Sequence, residues 1–378
     1  MMQDFGQIGV TDAQIDLLNI AETFCREKSP MDTVRTLMTD EVGYDPEVWK
    51  QIGELGWLAI SIPEAFDGVG LSLTEIVPVM EQMGRYMMAT PFFSTTLTAQ
   101  ALIKGGTQAQ KEAILPKIAS GAAASLALSE MNGDWDLTNI SAQAIPAQLS
   151  GEPVYKLSGK KIFVQDGLSA QWIIASVLID GEAALVILEI DKIPETAFRR
   201  ETIIDETKRS YELTLDGIRV TKDAILDRDK MRATFDHIHL VANLLSAAEL
   251  TGGAQSTVDY TVEYLNTRKQ FGKLIGAYQG LKHPTVQAYI GYEKSRSLLY
   301  AAAMSFSEQG QGEIATRMAK VQSETALSFA ADRSIQFHGG FGFTYDCDAQ
   351  LYRRRAIYNA SQYGDASFHK SKLAELLL

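Results

Sequence analysis

Two short stretches carry the residues best suited to bind a flat, anionic ligand. The first, residues 267–273, places Arg268 three residues before a Phe-Gly pair at Phe271 and is followed by Gln279. An arginine guanidinium is a planar set of donors that matches phosphate oxygens bidentately. The alternative is a solvated helix end at which a cation complements the helix dipole. Taken alone, this stretch leaves both interpretations open.

The second stretch, residues 336–343, contains three glycines among aromatic residues. Glycine lets a backbone approach a planar or anionic ligand closely because no Cβ stands in the way. A tight turn explains a lone glycine cluster equally well. The two stretches in this order, with Leu-Tyr-Arg-Arg at residues 351–354, form a more specific signal than either one alone.

Together the two stretches resemble the FAD-binding segments of the acyl-CoA dehydrogenase family. The first has the pattern Arg-x-x-Phe-Gly from Arg268 with Gln279 after it, and the second has Gln-x-x-Gly-Gly-x-Gly from Gln336. The resemblance extends over nearly the whole chain. It implies FAD as cofactor, an acyl-CoA thioester as substrate, α,β-dehydrogenation as the reaction and an acceptor such as electron-transferring flavoprotein.

The resemblance assigns a set of residues to FAD. Ser129 takes the position of a hydroxyl near the flavin ring, Phe163 that of an aromatic beside it, and Gln165 a polar one. Arg268 and Phe271 belong to a segment that reaches the FAD of a neighbouring subunit, which implies an oligomer, usually a dimer of dimers. The full set is Ser129, Phe163, Gln165, Arg268, Gln270, Phe271, Gln279, Gln336, Gly339 and Gly340. Without the family, Ser129 reads as a turn cap and Phe163 as a core residue.

The implied chemistry requires a carboxylate base beside the flavin, and here the sequence departs from the family. The base removes the α-proton as the β-hydride passes to the flavin. One family position for the glutamate follows a tyrosine in the last helical region, and this chain has Gly364 there. The other lies 26 residues before the motif arginine, and 268 − 26 = 242 gives Ala242.

Few carboxylates lie near these two positions. Asp365 follows Gly364 and becomes a candidate catalytic base if the loop differs locally; the alternative is a capping role in a Gly-Asp turn. Glu249 lies seven residues from Ala242, or about 10 Å along a helix axis, which is too far. The family arginine after the second glutamate position is Asn243 here, which argues against a standard CoA site.

The missing glutamate leaves three hypotheses. In the first, the chain is one subunit of a heterotetramer whose second acyl-CoA dehydrogenase-like chain supplies the base; residues 363–369 resemble such subunits from bacterial steroid degradation. In the second, a self-sufficient homotetramer uses Asp365 or an unrecognised carboxylate. In the third, the chain is a catalytically silent relative that binds flavin or acyl-CoA as a structural subunit.

Composition restricts the class of protein. The net charge of −12 and pI near 5.0 argue against nucleic acid as a partner, because phosphate binding needs a basic face. Cys25 and Cys347 offer neither a disulfide framework nor a metal-ligand spacing, and the five histidines form no ligand cluster. No metal is therefore expected. The sequence contains no apolar run of membrane-spanning length and no signal pattern, which favours a cytoplasmic protein.

Hydrophobic periodicity indicates the elements that position these residues. The period is helical over residues 1–122, beginning at a capped start at Thr11, and it switches to two over residues 123–225, with turns at 180–181 and 216–217. It is helical again over residues 226–378. We therefore predict an α+β protein with an N-terminal helical domain (1–122), a middle β-barrel or β-sandwich domain (123–225) and a C-terminal four-helix bundle (226–378).

Two details of the last part are open to test. Pro284 is predicted to open a helix, which is broken at residues 310–312. Small residues on the first long helix indicate either room for a bulky acyl group or close helix packing. These small residues are Ala242, Ser246, Ala247, Gly252 and Gly253.

Overall fold

Six α-helices precede the first strand in the computed structural model, which describes residues 11–149, 151–307 and 312–378. The side chain of Thr11 accepts from the amide of Gln14 and the side chain of Gln14 accepts from that of Thr11, so the predicted start of the first helix is confirmed. The helices are α1 (Asp12–Lys28), α2 (Met31–Thr39), α3 (Pro46–Glu54), α4 (Leu73–Arg85), α5 (Phe92–Gly105) and α6 (Gln108–Ala119).

Nine strands form two sheets between residues 124 and 220, apart from residue 150, which lies outside the description. Six of them make a sheet in the order β1-β5-β2-β3-β9, with β6 also paired to β5, and three make a sheet in the order β4-β8-β7. The strands are β1 (Ala124–Ala127), β2 (Gln143–Leu149), β3 (Glu152–Ser158), β4 (Lys160–Gln165), β5 (Trp172–Ile179), β6 (Glu182–Glu189), β7 (Phe198–Arg200), β8 (Ser210–Thr214) and β9 (Arg219–Val220).

The β5–β6 hairpin forms the buried centre of the larger sheet. Asp180 and Gly181 connect the two strands with φ angles of +55° and +82°, as a two-residue turn requires. The predicted turn is therefore confirmed. Most residues of both strands are buried, in keeping with their β-branched and aliphatic composition.

After residue 230 the described chain is again helical except for a short hairpin. Pro284 lies inside α8, so the predicted helix start at Pro284 was wrong; the helix begins five residues earlier, at Gln279. The predicted break at 310–312 falls mostly outside the described residues. The elements are α7 (Met231–Thr267), β10 (Lys269–Gln270), β11 (Lys273–Leu274), α8 (Gln279–Ser307), α9 (Gly312–Phe337), α10 (Ala349–Ser361) and α11 (Ala366–Leu377).

The chain divides into two compact units. One contains the described residues up to Val34 together with Ser72–Met88 and Asn243–Leu378, and it is helical apart from the β10–β11 hairpin. The other contains Arg35–Leu71 and Ala89–Ala242 and holds both larger sheets. The α+β class and the order of helical, β and helical parts are confirmed. The three-domain boundaries stay a prediction.

In the helical unit, α4 and α7 approach each other through glycines. A Cβ built on Gly252 falls 1.8 Å from the carbonyl oxygen of Glu81, and one built on Gly84 falls 2.1 Å from that of Glu249. Neither position can carry a side chain unless the helices move apart. Gly252 therefore serves close helix packing, the second of the two interpretations of the small residues.

Candidate active site

A cleft of about 400 Å³ lies in the helical unit where α7 ends, beside the β10–β11 hairpin and the C-terminal end of α9. It brings together Arg268, Gln270 and Phe271 from the first predicted stretch with Gly339 and Gly340 from the second. Residues 70 positions apart in the sequence therefore share one cleft. This supports a common ligand for the two stretches.

The β10–β11 hairpin fixes the direction of the first stretch. Phe271 and Gly272 form its turn with φ angles of +50° and +78°, and the amide of Ile275 donates to the carbonyl of Arg268 at 2.9 Å. The Phe271 side chain is 92% exposed as a result. The guanidinium of Arg268 is also exposed, so it can reach an anionic ligand in the cleft.

Aromatic rings line one side of this cleft. His338 stacks on Tyr264 with ring centroids 4.0 Å apart and on Tyr260 at 4.7 Å. Its Nδ1 donates to the carbonyl of Ser334 at 2.8 Å, and burial lowers the pKa of the ring. His338 is therefore a neutral, stacked side chain. Neither His338 nor Tyr264 was assigned to the site from the sequence. The signal that could have found them is an aromatic side chain close to the glycine motif or to the arginine motif.

Two of the FAD contacts predicted in or beside the two stretches do not line the cleft. Gln279 is the exposed first residue of α8, and Gln336 lies exposed in the last turn of α9. Both stand next to segments that do line it, since Tyr278 and Phe337 belong to its wall. Their assignment to FAD stays a prediction.

The open backbone at the glycines agrees with a dinucleotide ligand. A Cβ at Gly339 or Gly340 meets no atom within 4 Å, and Gly339 has a φ of +61°. A pyrophosphate requires a guanidinium and open space in front of backbone amides, and an adenine requires an aromatic wall on which to stack. The residues of this cleft therefore fit the ADP part of FAD.

In the β-containing unit, Ser129 and Phe163 lie beside one bridge between strands. The amide of Ile162 donates to the carbonyl of Ser129 at 2.9 Å, and Phe163 follows directly. At Phe163 the register between β4 and β8 shifts, its φ is +54°, and its amide donates to Oε2 of Glu201 at 3.1 Å. A bulge of this kind re-aims a side chain. The ring is 38% exposed, so Phe163 is not a core residue.

Gln165 ends β4 two residues after Phe163 and is half-buried. Its carbonyl accepts from the hydroxyl of Ser125 at 2.5 Å, which ties β4 to β1. Ser129, Phe163 and Gln165 thus lie on neighbouring segments of one unit, as the flavin-ring assignment requires. Their contact with the ring itself stays a prediction.

The first position for the catalytic glutamate lies in a left-handed stretch between α10 and α11. Tyr363 has a φ of +55° and Gly364 one of +104°. A Cβ on Gly364 falls 2.5 Å from Cδ1 of Phe368 and 2.8 Å from Nε2 of His369. A glutamate at this position would therefore strain the backbone and require Phe368 and His369 to move. The second position, Ala242, is a fully buried residue of α7.

The residue that follows each position, Asp365 or Asn243, has a side chain that hydrogen-bonds to the backbone. Asp365 is the N-cap of α11, and its Oδ1 accepts from the amide of Phe368 at 2.8 Å. The amide group of Asn243, where the family has an arginine, is buried and donates to the carbonyl of Tyr363 at 3.1 Å. Asp365 thus has the capping role that was the alternative to catalysis.

Glu249 is part of a buried polar network. Its Oε1 accepts from Arg355 at 2.5 Å and its Oε2 from the side-chain amide of Asn359 at 2.7 Å. Its backbone is also pressed against Gly84. Glu249 is therefore fixed inside the helical unit, in agreement with its rejection as a base.

No helix of the described residues has the length and apolar character required to cross a membrane. In the same part of the chain, His, Cys, Asp and Glu side chains form no group of three or more that could hold a metal ion.

Comparison with known proteins identifies two domain profiles and several relatives. The profile of the acyl-CoA dehydrogenase N-terminal domain matches residues 11–122, and that of the C-terminal domain matches residues 241–377. The chain is 27% identical over 334 residues to the acyl-CoA dehydrogenase IpdE2 of Mycolicibacterium smegmatis, with 88% of each chain covered.

Solved structures of low sequence identity share the fold. The chain is similar to the Tcur3481–Tcur3483 steroid ACAD, with a TM-score of 0.85, 24% identity and 96% and 97% of the two chains covered. It is equally similar to the ChsE4–ChsE5 complex from Mycobacterium tuberculosis, with a TM-score of 0.85, 22% identity and coverage of 97% and 98%.

Proposed function

Because the chain belongs to the acyl-CoA dehydrogenase family of FAD-dependent oxidoreductases, we propose that it is one subunit of a heteromeric acyl-CoA dehydrogenase whose partner chain supplies the catalytic glutamate. In this assembly it contributes residues to FAD binding and leaves proton abstraction to the partner. The substrate class is an acyl-CoA thioester with a bulky, steroid-derived acyl group, and the electron acceptor is an electron-transferring flavoprotein.

The backbone at Gly364 is the observation that carries this proposal. A glutamate there needs a Cβ that Phe368 and His369 do not leave room for. A φ of +104° adds to the cost, because residues with a side chain rarely adopt it. At the second position, Ala242 has no ionisable group. Both family positions for the base are therefore filled by residues that cannot accept a proton.

The chain keeps the residues that hold FAD. Bound FAD supplies the hydride acceptor for the substrate's β-carbon. Arg268 neutralises pyrophosphate charge, and the amides around Gly339 stand where phosphate oxygens can accept from them. When FAD is bound, Phe163 would contact the isoalloxazine ring and Ser129 would offer a hydroxyl to it. These roles require no base on this chain.

Two of the structural relatives support a heteromer, since each combines two chains, Tcur3481 with Tcur3483 and ChsE4 with ChsE5. The first of these is described as a steroid ACAD. Asn243 agrees with this division of labour. Its amide is used to hold the Tyr363 carbonyl, where the family arginine is instead available to the CoA end of the substrate.

The alternative of a self-sufficient enzyme has one carboxylate in its favour besides Asp365. Burial raises the pKa of Glu324, on α9, and the charge of Asp365 adds to the rise, while the charge of Lys320 opposes it. A carboxylate with a raised pKa is suited to general base chemistry. Glu324 is therefore the second residue to test.

The test is dehydrogenation by the pure full chain, measured over a panel of acyl-CoA thioesters with an artificial electron acceptor. We expect no turnover from the chain alone and activity of about 1–10 s⁻¹ when a second acyl-CoA dehydrogenase-like chain with the glutamate is co-expressed. Turnover at that level by the pure chain would refute the proposal. Glu324→Gln and Asp365→Asn would then identify the base.

A second prediction concerns the variant Asp365→Asn in the assembled enzyme. Asparagine caps a helix as well as aspartate does, but it cannot accept the α-proton. We therefore expect unchanged turnover and an unchanged melting temperature. A loss of turnover of two or more orders of magnitude with the fold intact would assign the base to Asp365. A flavin band that no acyl-CoA bleaches under anaerobic conditions, in any assembly, would favour the silent relative.

A further inference from the structure

A fully buried lysine and a buried glutamate form an ion pair inside the β-containing unit. Nζ of Lys161, on β4, lies 2.6 Å from Oε1 of Glu130, which follows β1. The same ammonium donates to Oγ of Ser176, on β5, at 2.8 Å, and lies 3.5 Å from the carbonyl of Leu128. All three of its protons therefore have partners. The pair joins β4 of the smaller sheet to residues of the larger one.

The carboxylate of Glu130 has a second set of partners. Its Oε2 accepts from the amide and hydroxyl of Ser141, and its Oε1 accepts from the amide of Ala142 at 3.0 Å. These donors lie at the far end of residues 131–140, a segment whose first residue, Met131, is 72% exposed. One carboxylate thus closes the loop that begins directly after Ser129 and Glu130.

The ion pair stands next to two of the three residues assigned to the flavin ring, Ser129 and Phe163. Ser129 precedes Glu130 in the chain, and Phe163 lies two residues after Lys161. The β-bridge joins Ser129 to Ile162, which stands between Lys161 and Phe163 in the chain. Alternation along a strand would place Lys161 and Phe163 on the same face, but the bulge at Phe163, with its φ of +54°, re-aims the ring, so Lys161 is buried while Phe163 is exposed.

Resting on the proposed function, we infer that Lys161 and Glu130 are positioning residues for FAD. They fix the separation of Ser129 and Phe163 and hold residues 131–140 closed beside them. A buried ion pair adds little to stability compared with apolar residues of similar size, so a gain in geometric precision is the better reason for its presence. Neither residue touches the cofactor. Their effect on FAD passes through the residues that do.

The test compares Lys161→Met with Lys160→Met in the full chain, purified in the assembly that it forms. Lys160 is the matched control because it is the next residue of β4, half exposed, and paired with Glu212 at 3.2 Å. We expect Lys161→Met to weaken FAD binding, titrated into the apoprotein, about 10- to 100-fold. It should also shift or broaden the visible flavin band. The melting temperature of the apoprotein separates this effect from loss of fold.

Four results would overturn the inference. Wild-type FAD affinity and an unchanged flavin spectrum in a folded Lys161→Met protein would overturn it, as would an equal effect of Lys160→Met. If Lys161→Met does not fold, Ser176→Ala removes one contact of the ammonium and keeps the pair; we then expect weaker FAD binding, and unchanged binding would overturn the inference. A wild-type chain that takes up no FAD in any assembly would overturn the proposed function together with the inference.

Discussion

At the scale of single residues, the conformation of Gly364 determines which substitutions the loop tolerates. Gly364→Ala places a methyl group against Phe368 and His369 in a left-handed backbone. Gly217 has a similar φ of +86° but nothing within 4 Å of its Cβ site, so Gly217→Ala measures the conformational cost alone. That cost is about 1–2 kcal/mol. We expect Gly364→Ala to lower the free energy of unfolding by clearly more than Gly217→Ala.

The same conformation predicts the result of adding back the missing base. Gly364→Glu should give no dehydrogenase activity in the pure chain, because the side chain cannot enter without moving the loop. It should also lower the free energy of unfolding at least as much as Gly364→Ala does. Denaturant titration and acyl-CoA turnover measure the two effects. Activity gained with little loss of stability would contradict the loop geometry.

Lys320 is a buried cation in the helical unit. Its Nζ donates to the carbonyl of Asn359 at 2.5 Å. Burial lowers its pKa to about 8, an effect that the charges of Glu324, Glu249 and Asp365 partly offset. The folded protein therefore binds the proton on Lys320 less tightly than the unfolded chain, where the pKa is near 10.5.

The lowered pKa predicts a dependence of stability on pH. Between pH 8 and 10.5 the unfolded chain holds the proton that the folded protein has released, so the stability contribution of Lys320 rises with pH. Relative to Lys320→Met, the wild type should gain up to about 1.4 kcal/mol per pH unit in this window. Unfolding free energies at pH 7, 9 and 10 test this. Lys372→Met, at a half-exposed lysine of α11, is the control, and an equal pH effect there would contradict the prediction.

At the scale of elements, the crossing of α4 and α7 depends on two glycines. Gly252→Ala puts a methyl group 1.8 Å from the Glu81 carbonyl oxygen, and Gly84→Ala puts one 2.1 Å from that of Glu249. Overpacking of this severity costs about 3 kcal/mol or more. Gly280→Ala, in α8 with nothing within 4 Å, is the control and should be neutral or slightly stabilising. Thermal melts of the three variants test this prediction, and equal melting temperatures for all three would refute it.

Elements with local signals could be predicted from the sequence. α1 and α6 begin at capping boxes at Thr11 and Thr107, and the Asp-Gly pair at 180–181 matches a two-residue hairpin. β2 carries no such signal, because within Gln143–Leu149 only Ala144 is buried and Pro146 interrupts the pattern. Its place depends on pairing with β3 and β5, which single-sequence periodicity does not contain.

The residues of the candidate site also divide into those that could be predicted from the sequence and those that could not. Arg268 and Gly339 could be assigned because their stretches match a family pattern, and both line one cleft. Lys161 could not, since a lysine in a strand reads as solvent-facing and its partner, Glu130, is 31 residues away. The capping role of Asp365 depends on the φ of Gly364, which the sequence suggests only through the glycine itself.

At the scale of the whole molecule, the surface near the cleft agrees with the proposed assembly. Phe271, which lines the cleft, is 92% exposed, and Phe343, three residues after Gly340, is 77% exposed. The hairpin that carries Phe271 also carries Arg268, Lys269 and Lys273, local cations on a chain of net charge −12. An anionic ligand covered by another protomer accounts for both features.

A comparison of variants at Arg268 and Lys269 distinguishes ligand binding from a general effect of surface charge. Both are exposed cations of one hairpin, but only Arg268 lines the cleft. Losing a charge-assisted bidentate contact with pyrophosphate should weaken FAD binding about 10- to 100-fold in Arg268→Ala. Lys269→Ala should have only the small, salt-sensitive effect of a surface charge. Because the neighbouring protomer is expected to share the flavin, wild-type FAD occupancy should also fall on dilution, as the assembly dissociates. Flavin titration and native mass measurement at several protein concentrations test this, and equal affinities of the two variants, with occupancy independent of concentration, would mean that Arg268 does not bind FAD across an interface.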